Sequence, residues 1–477
     1  MALSMLELTL SDLARITGGR ILIPDSARDA GISANSTVSG AVDTDSREIT
    51  AGGIFVAKPG EFSDGFLFID KAVAAGAALV IAERASEASV AQIIVDDAVL
   101  ALGALATEVV RLVRERGLLR IVGITGSNGK TTTKNLLTAI LERRGETIAP
   151  RDSFNNEVGA PLTMLKLTPD SQFLVAEMGA SGPGEITRLV RMAKPDVGVV
   201  LTVGLAHAGE FGGIETTLAT KTEMVSDLLS TDVAVLNVDD ARVASMADKT
   251  DARVVWFGLG EGARVRATDI SAHAAGTDFT ITLASGESRP VHFRVLGEHH
   301  VTNALAAAAA AESLGVGIDD IVTALESVVR AERWRMEVLG GNEVVVINDA
   351  YNASPDSMVA GLKTLVQIAT PDNRKVAVLG EMSELGEFAL EEHDRIGRMI
   401  VRLGIEKLIV VGEGARALHL AATHEGSWDG ESQFVATADE AYDALAPDLR
   451  PGDIVFVKSS NSAGLRFLGD RLGELFV

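Results

Sequence analysis

Residues Ile121 to Thr133 read I-V-G-I-T-G-S-N-G-K-T-T-T, and the rest of the chain can be arranged around them. The apolar run Leu118 to Ile124 has strand character. Gly126, Ser127, Asn128 and Gly129 supply a turn. From Lys130 to Arg144 the apolar residues Leu136, Leu137, Ile140 and Leu141 fall at helical spacing. Strand, Gly-rich turn and helix together aim backbone N–H groups and a helix N-terminus at a phosphate. In such a turn Lys130 reaches the outer phosphates and the Thr131 hydroxyl sits on Mg²⁺. The longer pattern G-x-x-x-x-G-K-[ST] is not met, because Ile124 stands where its first Gly belongs; the shorter G-x-x-G-K-T remains. The alternative is an ordinary Gly-rich turn, which the strand before and the helix after disfavour.

Downstream, to about Glu332, strands and helices alternate, the pattern of a parallel sheet covered on both faces. Phe173 to Ala176 is an apolar strand ending at Glu177; Val197 to Val203 leads to His207; Val233 to Leu236 leads to Asn237, Asp239 and Asp240. Ligands of such sheets gather at the carboxyl ends of strands. Glu177 and His207 therefore fall where a phosphate-bound metal would be, although each taken alone reads as a polar loop residue. The pair Asp239–Asp240 serves as a helix cap as readily as a ligand. From Arg264 to Val295, F-T-I-T-L and V-H-F-R-V alternate in polarity, as antiparallel strands at a sheet edge do. G-E-H-H-V-T-N-A-L then opens an Ala-rich helix, with His299 and Asn303 on one face. That face can meet an adenine edge, or Asn303 can be a buried structural residue.

The last segment, from Arg333, alternates again around the apolar strands Val344–Ile347, Val376–Leu379, Leu408–Val411 and Ile454–Val457, without a phosphate turn of its own. Asn348, Asp349, Tyr351 and Asn352 follow its first strand; Lys458, Ser459 and Ser460 follow a later one. Polar strand ends without a phosphate turn suit a domain that closes over a nucleotide bound next door. In the first segment, Asp45 to Phe66 is dense in turn residues around the strand Ile54–Ala57. Ser46 and the planar fork of Arg47 can hold a diphosphate there, or simply form a surface turn.

The chain has 477 residues, which at about 150 per domain gives three. The fold class is α/β: a central doubly wound sheet with the phosphate loop, a C-terminal Rossmann-like domain and a smaller α/β N-terminal domain. The expected boundaries are 1–117, 118–332 and 333–477. A net charge of -23 argues against a nucleic-acid partner and requires anionic ligands to be met by local cations, amides or metal. There is no Cys, which fits a reducing compartment. The N-terminus lacks a basic region, and no run of about 18 apolar residues occurs, so neither signal peptide nor membrane span is expected. The expected location is the cytoplasm.

These motifs together resemble the Mur ligases of peptidoglycan synthesis, ATP-dependent amide-bond formers, over essentially the whole chain. T-G-S-N-G-K-T-T at Thr125 matches their short phosphate loop. D-S-R at Asp45 and F-V-A-K-P-G-E at Phe55 match the uridine-nucleotide domain. F-N-N-E-V-G-A-P-L-T at Phe154, A-E-M-G-A at Ala176 and G-E-H-H-V-T-N-A-L-A-A-A at Gly297 match the central domain. D-A-Y-N-A-S-P-D-S-M at Asp349 and L-G-E-M-S-E-L-G at Leu379 match the last and resemble those members whose acceptor is a dipeptide.

The resemblance implies UDP-MurNAc-tripeptide and D-Ala-D-Ala as substrates, with ATP and two Mg²⁺ ions, joined through an acyl phosphate by a monomer. It implies Thr131 and Glu177 on one Mg²⁺, His207 on a second, and Lys221 carbamylated by CO₂ as a further metal ligand. ATP falls to Gly126, Ser127, Asn128, Gly129, Lys130, Thr131 and Thr132, with Asn303 at adenine, Arg335 at the phosphates and Asp349 at the ribose. The UDP-sugar peptide and the acceptor fall to Ser46, Arg47, Asn155, Asn156, Tyr351 and Asn352. The chain departs from the family at Phe66 (usually His), Trp334 (usually Gly) and Ser354 (usually Asn), and at Ser459 and Asn461 where Gly and Arg are common. D-N-P-R, which marks siblings that add a diamino acid, is missing: none of the 12 Pro residues follows an Asn. A sibling adding one amino acid, a folylpolyglutamate-synthase-like ligase and a nucleotide-binding regulatory subunit without turnover are the alternatives.

Overall fold

The computed structural model describes residues 7–60, 63–151, 153–205, 213–273, 275–328, 332–341, 343–425, 428 and 430–476. His207, expected to hold a metal, lies outside them. The described residues form three main sheets. The N-terminal sheet runs Arg20–Leu22, Ala91–Ile94, Leu79–Ala82, Ile54–Ala57, Val42–Asp43, parallel except at its first pair. Thr9 starts the first helix with a reciprocal cap, its hydroxyl accepting from Asp12 N. Asp97 caps the long helix Ala98–Arg114, whose buried Leu102, Leu105 and Val109 share one core with Ile121, Leu174 and Met178 of the next sheet.

That central sheet has nine strands. Its order is Thr147–Ile148, Phe173–Glu177, Arg120–Thr125, Val197–Val200, Val233–Asn237, Arg253–Gly258, Val265–His273, Gly276–Thr282, Ser288–Phe293. Pairing is parallel up to Val265–His273 and antiparallel for the two edge strands beyond it. The strand before the phosphate turn is flanked by Phe173–Glu177 on one side and Val197–Val200 on the other. Strand order thus reverses at this strand, the place where such sheets open a ligand crevice. Alternate residues bury opposite faces: Ile121 joins one core, Val122 and Ile124 the other. The second core holds the Ala-rich helix Glu298–Ser313, in which Ala304 through Ala311 are wholly buried. Small side chains let this helix lie against Lys130–Leu141.

The strand expected over Val197 to Val203 stops at Val200. Beyond it the chain serves the phosphate turn, Thr202 O accepting from Ser127 N at 2.8 Å. The C-terminal sheet has six strands, with Glu337–Gly340 antiparallel to Val345–Asn348 and the rest parallel. Two edge strands, Glu337–Gly340 and Glu431–Val435, lack the apolar runs that mark the buried strands. No described helix is long and apolar enough to cross a membrane.

Candidate active site

Gly126 and Gly129 give the phosphate turn its shape. Their φ values, +152° and +84°, suit glycine, and a Cβ on Gly129 would collide with Asn303 Oδ1. Gly129 caps the helix Lys130–Leu141 with no side chain, which leaves the N–H groups of the first turn open. Ser127 is held by Gly204, whose N–H donates to Ser127 Oγ at 2.9 Å. Lys130 Nζ folds back onto Gly126 O at 2.7 Å. Loss of hydration pushes its pKa down, against the pull of Glu177.

Glu177, 1% exposed, ends its strand beside this turn. Its Oε1 accepts from Asn155 Nδ2 at 2.8 Å and from the Thr131 hydroxyl at 3.3 Å. Its Oε2 is buried with no protein partner. A buried carboxylate oxygen without a partner is costly, and beside a hydroxyl at a phosphate turn it fits a hard divalent cation. Thr131 and Glu177 are thus suited to hold Mg²⁺ together with phosphate oxygens. No group of three or more His, Cys, Asp or Glu among the described residues is placed to hold a metal unaided.

Across the cleft stands the C-terminal sheet. Arg335 Nη2 reaches Thr131 Oγ1 at 3.4 Å, its Nε donates to Glu332 at 2.9 Å, and its guanidinium lies 4.2 Å from the centre of the Tyr351 ring. Ser354 Oγ donates to Asn128 Oδ1 at 3.0 Å, and Tyr351 Oη to Ser153 Oγ at 3.4 Å. Lys458, 3% exposed, pairs with Asp349 at 2.6 Å and also donates to Asn352 O at 3.0 Å. The cleft between the two sheets encloses about 420 Å³. Its far wall carries Asn237, Phe257, His299, His300 and Asn303. Burial pushes the His299 pKa down to about 4 and that of His300 well below its ordinary value, so both rings are neutral.

The geometry brings together most of the expected residues: Ser127 through Thr132, Asn155, Glu177, Asn303, Arg335, Asp349, Tyr351 and Asn352 all line this cleft. Lys221, on the helix Ile214–Ser226, is 3% exposed and does not line it. Burial, then the charge of Lys130, pushes its pKa down to about 7. Ser46 and Arg47 stand in the N-terminal domain, away from the cleft lining, and Arg47 pairs with Asp45 at 2.6 Å. Asn156 does not reach the cleft: its Oδ1 accepts from Gly159 N at 2.9 Å and from Val158 N. The pair Asp239–Asp240 serves backbone N–H groups, Asp240 capping Ala241–Ala244 and Asp239 accepting from Leu259 N and Gly260 N. The sequence signals Lys458 only by its place after a strand and gives no signal for Ser153; both line the cleft and are held by residues distant in the chain, Lys458 by Asp349 and Ser153 by Thr131 and Tyr351.

Three family models match successive parts of the chain: "Mur ligase family, catalytic domain" over 40–117, "Mur ligase middle domain" over 124–311, and "Mur ligase, glutamate ligase domain" over 334–461. The chain belongs to the Mur ligase family. A Mycobacterium bovis relative named UDP-N-acetylmuramoyl-tripeptide--D-alanyl-D-alanine ligase is 43% identical to this Mur ligase over 98% of both chains. The crystal structure of MurF from Acinetobacter baumannii superposes with a TM-score of 0.88 at 32% identity, covering 98% of this chain and 99% of that one. The MurF ligase of Thermotoga maritima, solved in complex with ADP, gives a TM-score of 0.79 at 27% identity, over 91% of this chain and 98% of its own.

Proposed function

We propose that this Mur ligase joins D-Ala-D-Ala to UDP-MurNAc-tripeptide at the expense of ATP, yielding UDP-MurNAc-pentapeptide, ADP and phosphate. The observation that carries the reading is a relative of that name, 43% identical over 98% of both chains, on a chain whose phosphate turn faces Arg335 across the cleft. Residues 1–117 take the UDP-sugar, with Ser46 and Arg47 at its diphosphate. Residues 118–332 take ATP on the turn Gly126–Thr132, with Asn303 at adenine. Residues 333–477 close on ATP through Arg335 and Asp349 and seat the acceptor near Tyr351 and Asn352, while Asn155 and Asn156 face the peptide of the donor. The enzyme acts as a monomer in the cytoplasm.

A carboxylate is a poor electrophile, so it is activated first. An oxygen of the tripeptide carboxylate attacks the γ-phosphorus, the bond to the bridging oxygen breaks, and ADP leaves behind an acyl phosphate. The amine of D-Ala-D-Ala then attacks the carbonyl carbon, phosphate departs, and the ammonium proton is lost to water. Lys130 and Arg335 approach the phosphoryl oxygens from opposite domains, so domain closure assembles the charge clamp. Burial pushes the Lys130 pKa down, and bound phosphates would favour its ammonium form. Two Mg²⁺ ions, one at Thr131 and Glu177 and one at His207 and Lys221, supply further charge neutralisation when bound. A Lys221 amine brought down to about 7 is substantially neutral at neutral pH. The neutral amine attacks CO₂, loses a proton and becomes an anionic oxygen donor of the kind Mg²⁺ accepts.

Phosphate release tests the reading. It requires ATP, UDP-MurNAc-tripeptide and D-Ala-D-Ala together; no release at all favours a nucleotide-binding regulatory subunit instead, and release that ignores both peptides refutes the ligase.

A further inference from the structure

Arg335 is aimed by a strained stretch of backbone. The residues on either side of it, Trp334 and Met336, are not glycine, yet they sit at φ +60° and +50°. Such conformations persist in L residues only where the surroundings over-determine them. Here the surroundings converge on one carboxylate, Asp470 on the C-terminal helix Leu465–Glu474. Trp334 Nε1 donates to its Oδ2 at 3.0 Å, Arg333 pairs with it at 3.0 Å, and Asn348 Nδ2 donates to its Oδ1 at 2.9 Å. The indole is also covered, with the Arg333 guanidinium 4.5 Å from its centre and the Phe467 ring edge-on at 5.9 Å. The main chain of the stretch is tied in turn: Trp334 N to Glu337 at 2.8 Å, Met336 N to Asp349 at 3.0 Å, and Tyr351 N to Trp334 O at 3.1 Å.

We propose that Asp470 and Trp334 form a clamp that fixes the junction between the central and C-terminal domains and so positions Arg335 over the phosphate turn. Neither residue lines the cleft. Both act through Arg335, and the kinetic part of the proposal rests on the reading of Arg335 as a phosphate contact. Asp470 is the hub because it joins the junction to a strand and a helix at once. Of its three partners, Arg333 is 59% exposed and contributes least. The indole N–H is the bond that holds the strained backbone.

The test compares Asp470→Leu with Asp470→Asn, whose amide oxygen in the Oδ1 place still accepts from the indole and from Asn348 Nδ2, while its amide nitrogen takes the Oδ2 place and the exposed ion pair with Arg333 is lost. Asp470→Leu lowers kcat/KM for ATP about tenfold, short of the 10² or more of a lost transition-state donor, and leaves KM for the acceptor unchanged. Asp470→Asn restores wild-type kinetics within about twofold. In a Trp334→Gly background, where glycine takes φ +60° freely and no indole is present, Asp470→Leu has no further effect. Hydrogen exchange reads the clamp without any reaction: the Trp334, Met336 and Tyr351 amides speed up at least tenfold in Asp470→Leu and not in Asp470→Asn. If Asp470→Leu fails to fold, Trp334→Phe, which removes the indole donor and keeps an aromatic ring, carries the same exchange comparison. Unchanged exchange, or a full additive loss in the Trp334→Gly background, overturns the clamp whatever the substrates are. A wild-type enzyme that releases no phosphate overturns the ligase reading, and the exchange result still decides the clamp.

Discussion

Replacing Lys221 by Met tests the electrostatics of the site where they are most extreme. The substitution keeps the length and apolar stem of the side chain and removes the amine. An ordinary lysine gives up its proton near 10.5; in the folded chain Lys221 does so at about 7, because 3% exposure leaves its ammonium little water and Lys130 repels it. At about 1.36 kcal/mol per pH unit the gap corresponds to about 5 kcal/mol of cost to the folded state. The sign follows from proton counting. Between about 7 and 10.5 the unfolded chain binds more protons at this position than the folded one, so stability rises with pH across that window. Below it the cost is present in full; above it the cost is gone. Lys221→Met should therefore stabilise the central domain by about 4 kcal/mol at pH 6.5 and by less than about 1 kcal/mol at pH 10, while turnover is lost. The chain has three Trp residues, so 5-fluorotryptophan gives three separable fluorine signals, and Trp256 reports the urea transition of the central sheet. The measurement uses buffers freed of CO₂, so that no carbamate forms. A difference between wild type and Lys221→Met that does not vary with pH, or a Met variant that is less stable at pH 6.5, refutes the reasoning.

Lys130→Ala should lower kcat about 10²- to 10³-fold while circular dichroism and the unfolding temperature stay as in the wild type, because the cation acts on phosphates and, among the described residues, its hydrogen bond to Gly126 O lies within its own turn. Mg²⁺ with ADP at about 100 times its Kd should raise the unfolding temperature of the wild type by about 5–10 °C. Glu177→Gln should lose most of that rise in differential scanning fluorimetry, since the unpartnered Oε2 is the oxygen offered to the cation.

Features carried by short-range spacing were legible from the residues. The phosphate turn, the strand ending at Glu177, the buried Ala-rich helix and the alternating edge strands each follow from a periodicity or a dipeptide that local geometry enforces. What was not legible depends on pairs far apart in the chain. Lys458 reaches Asp349, Ser354 reaches Asn128 and Tyr351 reaches Ser153, across separations of 109, 226 and 198 residues. No spacing rule encodes such pairs. Arg47 and Asn156 carry local contacts that residue type alone does not give: Arg47 pairs with Asp45, and Asn156 Oδ1 accepts from the backbone of a helix start. Asp239 and Asp240 resolve the same way, as acceptors for backbone N–H groups. The polar edge strand Glu431–Val435 escapes notice because only Phe434 and Val435, at its end, pack against the cores, so its sequence never forms an apolar run.

On the proposed function a dipeptide, not a single amino acid, is the acceptor. An acceptor site for D-Ala-D-Ala must satisfy one more amide than a site for one residue and hold a more distant carboxylate. A single amino acid leaves those buried polar groups unpaired, and a loss of about 10²-fold or more follows. The direct measurement is kcat/KM for D-Ala-D-Ala, D-Ala, L-Lys and meso-diaminopimelate, each with UDP-MurNAc-tripeptide and UDP-MurNAc-dipeptide as donor. D-Ala-D-Ala on the tripeptide donor should exceed every other combination by about 10² or more. Faster turnover of a single amino acid on the dipeptide donor contradicts it and assigns the chain to a sibling reaction.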